Sequence, residues 1–152
     1  MQLGKYFWII VGFLCFCFFL IFYFFVGDPF SVKINFEGGP EVTASVADDL
    51  REMKQGLAGV KELSDNEGML FVYKETQEEV NYWMKGMVIP IDIIWINENR
   101  VVGVIENIPV EFTEPLTIYT SSVPVDRVLE VRAGFAKKYG VKIGDRLDIQ
   151  LQ

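Results

Sequence analysis

The longest apolar stretch of the chain lies at its N-terminus. Tyr6–Val26 contains no charged residue, and 21 residues of α-helix rise about 31 Å, which matches the ~30 Å hydrocarbon core of a bilayer. Trp8 and Tyr23 suit the two membrane interfaces. The run ends in FFVGDP, without the small-x-small site of a cleaved signal peptide. The pattern therefore predicts that residues 1–27 form an uncleaved transmembrane signal-anchor.

The charges that flank this anchor predict its orientation. Lys5 and the α-amino group precede the apolar run, and Asp28 follows it. Positive charge is retained on the cytoplasmic side of a membrane, so the N-terminus is expected inside and residues 28–152 outside. We therefore expect a single-pass protein of the cytoplasmic membrane that carries one extracytoplasmic domain.

Beyond the anchor, short segments alternate apolar and polar residues with the period of half-buried strands. The first, Phe30–Phe36, is apolar at every second position. The further segments that indicate strands are Glu41–Val46, Met69–Tyr73, Val80–Val88, Ile91–Asn97, Val101–Ile105, Leu116–Ser122 and Asp126–Arg132, and Lys142–Gln150 turns at Gly144-Asp145 into a closing strand.

Two short helices are predicted between these strands. Leu50, Met53 and Leu57 stand at helical spacing after an aspartate pair. The second helix spans about Ala133–Tyr139 and ends at Gly140, the residue type typical of a left-handed cap. Together the segments predict a mainly β (α+β) fold, a compact antiparallel barrel-like sheet with two short helices.

Composition and charge restrict the chemistry of the domain. After Gly27 there are 13 basic and 21 acidic residues, a net charge of 13 − 21 = −8, so we expect no nucleic-acid partner, which would need a basic face. The chain has no histidine, and Cys15 and Cys17 lie in the apolar run. Zinc sites and catalysis by a Cys-His pair or a Ser-His-Asp triad are therefore excluded from the domain. We expect no metal and no cofactor.

Residues 82–96 read YWMKGMVIPIDIIWI, an apolar stretch that nevertheless holds Lys85 and Asp92. A charge at a buried strand position is costly unless it is paired. If the two strands predicted here pair as a hairpin, alternation places both charges on one side of the sheet. They could form a structural pair that sets register, or line a ligand pocket with Trp83 in which Lys85 binds an anion and Asp92 accepts hydrogen bonds. In a third interpretation one of them acts as a general base.

Three blocks, in this order and spacing, resemble one protein family: GMLFVY, YWMKGMVIPIDIIWI and VPVDRVLEVRAGFAKKYGVKIGDRL. The family is the domain of unknown function 192, whose middle block typically reads Phe-Trp-Met-Lys and then Pro-Leu-Asp-Ile. The matching positions are Tyr82, Trp83, Met84, Lys85, Pro90, Ile91, Asp92 and Ile93. The chain departs from the family pattern at Gln55, Ala58 and Gly86. The resemblance spans about Val42 to Ile149 and implies a compact mainly-β domain without an established activity.

A second charged cluster lies in DRVLEV, which the resemblance keeps together with the middle block. Alternation puts Arg127 and Glu130 on opposite sides of this strand. Either could complete a network with the two charges of the middle block. The candidate ligand-binding residues are therefore Trp83, Lys85, Asp92, Arg127 and Glu130, and no residue is assigned a catalytic role.

These features favour a membrane-anchored, non-catalytic module that binds a small polar ligand or a glycan. Two other classes stay open, a module that binds an envelope protein and an enzyme that uses lysine and carboxylate chemistry. A convergent pocket with Trp83, Lys85 and Asp92 would favour the first class. A flat exposed apolar patch would favour the second, and Lys85 buried beside a serine or a second carboxylate would favour the third.

Overall fold

The computed structural model of the chain describes residues 31–151, so the predicted anchor lies outside the described residues. Within that range no helix is long and apolar enough to cross a bilayer. The helices are α1 (Leu50–Gln55) and α2 (Phe135–Tyr139). The strands are β1 (Ser31–Phe36), β2 (Glu41–Ala47), β3 (Glu67–Gln77), β4 (Asn81–Tyr82), β5 (Ile91–Asn97), β6 (Arg100–Ile108), β7 (Tyr119–Thr120), β8 (Val125–Arg132) and β9 (Leu147–Leu151).

Most of the strands belong to one sheet with the order β6-β5-β8-β3-β2-β1-β9, and β4 pairs with β7 in a second, two-stranded sheet. All neighbours are antiparallel except β2 and β3, which run parallel. A parallel pair requires a crossover connection, and residues 48–66, which include α1, supply it. The prediction of a mainly β fold with two short helices is confirmed.

The large sheet is curled, and its two edge strands meet at one corner. Arg100 at the start of β6 forms a backbone bridge with Arg146, just before β9. Val101 N donates to Asp145 O at 2.9 Å beside this bridge. The bridge closes only one corner, so the predicted barrel-like sheet is a curled half-barrel.

The two faces of the curled sheet carry separate apolar clusters. The inner cluster lies inside the curl and contains Ile94 and Ile96 of β5 together with Phe135 of α2. The outer cluster contains Ile93 and Trp95 and is covered by residues that follow α1 and by the segment around β4. Because β5 lies between β6 and β8 and is covered on both faces, residues 91–96 are all buried.

The hairpin predicted between Val80–Val88 and β5 is wrong. Only the short strand β4 forms there, and it pairs with β7. Residues 83–90 turn instead, with Met87 N donating to Met84 O at 3.2 Å and Gly86 at a φ of +74°. Met84 and Met87 are both buried. They stand three residues apart across the turn, whereas strand alternation would place residues at this spacing on opposite faces.

Asp92 joins three elements through its fully buried carboxylate. Its Oδ1 accepts hydrogen bonds from Asn107 N at 2.7 Å and from Gly134 N at 3.0 Å. Its Oδ2 accepts from Ala136 N at 2.9 Å. These donors belong to a register shift in β6 and to the first turn of α2, where orphan amides favour a negative charge. The predicted pairing of Asp92 with Lys85 is therefore wrong, and Asp92 holds the fold through backbone amides instead.

Replacing Asp92 with asparagine should destabilise the fold. The carboxamide of the variant turns an NH₂ group toward one of the backbone amides, and hydrogen bonds to a charged group contribute about 1.5–3 kcal/mol each. We expect Asp92→Asn to lower the free energy of unfolding by about 3 kcal/mol. The matched control is Asp126→Asn, because the partly buried Asp126 carboxylate accepts one backbone hydrogen bond, from Glu98 N at 3.2 Å, instead of three; its loss should be about 1 kcal/mol. Urea unfolding of the full chain in mild detergent, followed by circular dichroism, measures both, and equal losses would contradict this role.

Candidate functional site

Glu130 is a buried acid on the outer face of the sheet. Strand β8 places it between Met69 of β3 and Ile93 of β5. Its side chain is buried, and its Oε2 atom has no hydrogen-bond partner. Burial raises the pKa of the Glu130 carboxyl to about 8, so the group is mostly protonated at neutral pH.

Glu130 lines a pocket of about 240 Å³, here called the Glu130 pocket. It forms where the end of α1, strands β3 and β4 and the turn after β4 come together. The residues that line it are Met53, Lys54, Gln55, Gly56, Leu57, Phe71, Tyr73, Asn81, Tyr82, Trp83, Lys85, Met87 and Glu130. Their chemistry combines aromatic walls, polar amides, two ammonium groups and a single carboxyl.

The end of α1 lies next to the Glu130 carboxyl. Asp49 caps the helix by accepting from Glu52 N at 2.8 Å, and Gly56 N closes the last turn on Glu52 O at 2.8 Å. Gly56 has a φ of +50°, a conformation that favours glycine. A Cβ at this position would lie 3.9 Å from Glu130 Oε2. The glycine therefore permits the turn and brings the end of α1 beside the carboxyl.

Two tyrosines contribute a hydroxyl pair to the Glu130 pocket. The Oη atoms of Tyr73 and Tyr82 lie 3.1 Å apart. Burial raises the pKa of both phenols, and the charge of Glu130 raises them further. The Tyr82 ring is fixed by edge contacts with Phe71 and Trp95, at centroid distances of 5.2 and 5.4 Å. Both hydroxyls therefore remain neutral and can donate and accept hydrogen bonds.

Trp83 and Lys85 occupy the turn that follows β4. Trp83 is 46% exposed although it is a large aromatic residue, and Lys85 is exposed as well. Both side chains line the Glu130 pocket. The pocket thus has an accessible aromatic surface and a positive charge at its rim.

Of the five predicted site residues, the structure brings three together. Trp83, Lys85 and Glu130 share the Glu130 pocket. Asp92 lies on the inner face, where its carboxylate bonds α2, so it does not join them. Alternation along β5 explains this, because Asp92 and its neighbour Ile93 point to opposite faces.

Arg127 also lies away from the Glu130 pocket. Its guanidinium donates to Asn99 Oδ1 and stands 3.7 Å from Asp126 Oδ2. It lines a cavity of about 330 Å³ that includes Leu70 of the inner cluster. The predicted network of Arg127 with the middle-block charges is therefore wrong, while the prediction that Arg127 and Glu130 point to opposite sides of β8 is confirmed.

Several residues of the pocket are not among the predicted site residues. Tyr73 and Tyr82 fall in predicted strands, and Tyr82 also matches the family pattern. Gln55 stands out in the sequence only as a departure from that pattern, and Gly56 has no predicted role. A tyrosine in an otherwise apolar strand face is a weak signal of a buried hydroxyl that needs a partner. The partner itself depends on how β3 and β4 pack, which strand periodicity does not specify.

The Glu130 pocket does not gather a set of metal ligands. Among its described lining residues Glu130 supplies the one carboxyl, and no group of three or more His, Cys, Asp or Glu side chains suited to a metal occurs in residues 31–151. The arrangement is suited to hydrogen bonding and to contact with aromatic rings.

The raised pKa of Glu130 predicts a pH-dependent stability. Its folded pKa of about 8 exceeds the ordinary value of 4.5, so its contribution is complete below about pH 4.5 and is lost as pH rises through 8. The total loss is about 5 kcal/mol. Urea unfolding of the full chain between these pH values should show this loss relative to Glu130→Gln, in which it is absent.

The matched control for this measurement is Glu106→Gln, which changes an exposed glutamate on β6. This variant should keep the pH dependence of the wild-type protein. A wild-type pH profile parallel to that of Glu130→Gln would show that Glu130 titrates normally, and would contradict its burial without a partner.

Two solved structures are similar to this chain. One is from Sinorhizobium meliloti 1021 and is described as a "putative transcription regulator"; it is 33% identical, with a TM-score of 0.69, and the match covers 78% of this chain and 91% of that one. The other is a protein of unknown function from Novosphingobium aromaticivorans DSM 12444, 28% identical, with a TM-score of 0.67 and coverage of 78% and 83%. No curated protein sequence matches significantly.

A family model supports the resemblance found in the sequence. The model of DUF192, described as "Uncharacterized ACR", matches residues 32–149. This range includes every strand of the large sheet in whole or in part and all the residues of the Glu130 pocket. The chain therefore belongs to the domain of unknown function 192 family.

Proposed function

We propose that this protein is a membrane-anchored, extracytoplasmic module that binds a small polar ligand, such as a sugar, in the Glu130 pocket. The observation that carries the proposal is the Oε2 atom of Glu130, which is buried without a hydrogen-bond partner. An unsatisfied buried polar group costs about 1–3 kcal/mol. A ligand that hydrogen-bonds this atom recovers that free energy, so the unsatisfied oxygen favours binding.

The size and the walls of the pocket support a small polar ligand. Its volume of about 240 Å³ is below the ~300–1,000 Å³ of pockets for drug-sized molecules. Trp83 offers an exposed aromatic face, on which the apolar side of a sugar ring can pack. Gln55, Asn81 and Lys85 surround it with hydrogen-bonding groups, which fix the orientation of a polar ligand.

The position of Lys85 favours binding over catalysis. A catalytic lysine is expected to be buried beside a serine or a second carboxylate, which would lower or exploit its pKa. Lys85 is exposed on a turn, and the described lining of the pocket includes neither a serine nor a carboxyl other than Glu130. The residues present therefore act as hydrogen-bond partners.

The proposed location follows from the sequence. The apolar run Tyr6–Val26, with Lys5 before it and Asp28 after it, supports an anchor that leaves the domain outside the cytoplasmic membrane. A pocket in that position has access to solutes and to glycans of the envelope.

A second candidate function is the binding of an envelope protein. Phe112 is 87% exposed and Ile118 is 52% exposed in the segment between β6 and β7. Large exposed apolar side chains that form one patch are a feature of protein-interaction surfaces, and these two belong to the same connecting segment. This segment is therefore the place where a protein partner would contact the domain.

Ligand binding is tested by titrating the full chain, in mild detergent, with glucose, N-acetylglucosamine, glucosamine, ethanolamine and ethylene glycol. Nuclear magnetic resonance reports both affinity and the residues affected. We expect at least one compound to bind at the Glu130 pocket, and Trp83→Ala to weaken that binding roughly threefold to tenfold through loss of the aromatic contact.

Phe112→Ala is the matched control, because it removes an exposed aromatic side chain outside the pocket lining. It should leave the affinity unchanged. Absence of binding by every compound, or equal effects of the two variants, would contradict a ligand site at the Glu130 pocket.

A further inference from the structure

Gly56 and Phe71 border the Glu130 carboxyl in the pocket. A Cβ at Gly56 would be in van der Waals contact with both side chains, 3.9 Å from Oε2 and 3.4 Å from Phe71 Cζ. The carboxyl lines the pocket, and its buried Oε2 atom has no partner among the described protein groups. The position therefore selects a ligand that brings a hydrogen-bond donor.

The walls around this carboxyl are aromatic. Phe71, Tyr73, Tyr82 and Trp83 all line the pocket together with Glu130. The faces of aromatic rings attract a cation, and a desolvated site strengthens the attraction. A carboxyl surrounded by aromatic rings therefore stabilises an ammonium group through two kinds of contact, whereas a neutral hydroxyl gains only the hydrogen bond.

The other titratable groups of the pocket leave this role to a ligand. Strands β3 and β4 contribute Tyr73 and Tyr82, α1 contributes Lys54, and the turn after β4 contributes Lys85. On this face β5 presents apolar side chains. Both lysines are exposed, and no ion pair of the described residues includes Glu130. The lysines instead place positive charge at the rim, which suits a hydroxyl-rich or acidic second part of the ligand.

We infer that the ligand of the Glu130 pocket is a primary amine, whose ammonium group binds beside Glu130 while hydroxyl or acidic groups face Lys54 and Lys85. This inference rests on the proposed function, because it names the class of ligand for the same site. The acidity of the domain, with a net charge of −8 from 13 basic and 21 acidic residues, also favours the approach of a cation.

Two matched ligand pairs test the inference on the full chain in mild detergent. Glucosamine is compared with glucose and N-acetylglucosamine, and ethanolamine with ethylene glycol, at about pH 7.5, where such amines are mainly protonated. At this pH a bound ammonium can draw the proton from Glu130, whose pKa is about 8 in the free protein. At least one amine should bind tenfold or more tightly than its neutral counterparts, a difference of about 1.4 kcal/mol. Glu130→Gln should reduce this preference to less than about twofold, while the exposed-site control Glu106→Gln keeps it.

The outcomes separate this inference from the proposed function. Neutral compounds that bind at the pocket as tightly as the amines would overturn the inference and leave a polar-ligand site in place. An amine preference that persists in folded Glu130→Gln, as judged by its circular dichroism, would also overturn it. If none of the five compounds binds, both the site and its ligand class are rejected.

Discussion

Three backbone amides donate hydrogen bonds to the Asp92 carboxylate, and these bonds hold β5 against its neighbouring elements in the middle of the sheet. The bonds join β5 to the irregular end of β6 and to the first turn of α2. Because β5 also pairs with β8, the position of Asp92 on the inner face brings Ile93 and Glu130 side by side on the outer face. The hydrogen bonds of Asp92 on the inner face therefore help to hold β5 in the position that places Glu130 of β8 in the pocket on the outer face.

The two buried acids differ in what surrounds them. Asp92 is fully buried, and both of its oxygens accept hydrogen bonds from backbone amides. Glu130 is also buried, but its Oε2 atom has no partner, and burial raises its pKa to about 8. A carboxyl that is strongly desolvated inside a pocket is a candidate for function. Asp92 thus has a structural role, and Glu130 is the residue around which ligand binding is proposed.

Periodicity was sufficient to predict most of the strands, because strands such as β1 and β2 bury mainly one face, although β5 is buried on both. It also assigned Arg127 and Glu130 to opposite sides of β8. It failed at Lys85, where a turn through Gly86 replaces the expected strand, so the pairing with Asp92 predicted from alternation does not form. The parallel pairing of β2 with β3 depends on tertiary packing, which no local pattern encodes. The hydrogen bond between the hydroxyls of Tyr73 and Tyr82 depends on the same packing. Trp83, Lys85 and Glu130 could be predicted as site residues, because the first two lie in the middle block of the family pattern and the third lies within a single strand.

The most direct test of this account is the titration of the Glu130 carboxyl itself. Carbon-13 nuclear magnetic resonance of the glutamate-labelled full chain, with the signal assigned by its loss in Glu130→Gln, gives the pKa of this one group. We expect a midpoint of about 8 in the free protein and a lower midpoint when ethanolamine is bound, because a neighbouring cation favours the carboxylate. A midpoint near the ordinary value of 4.5 in the free protein, unchanged by the amine, would contradict this account.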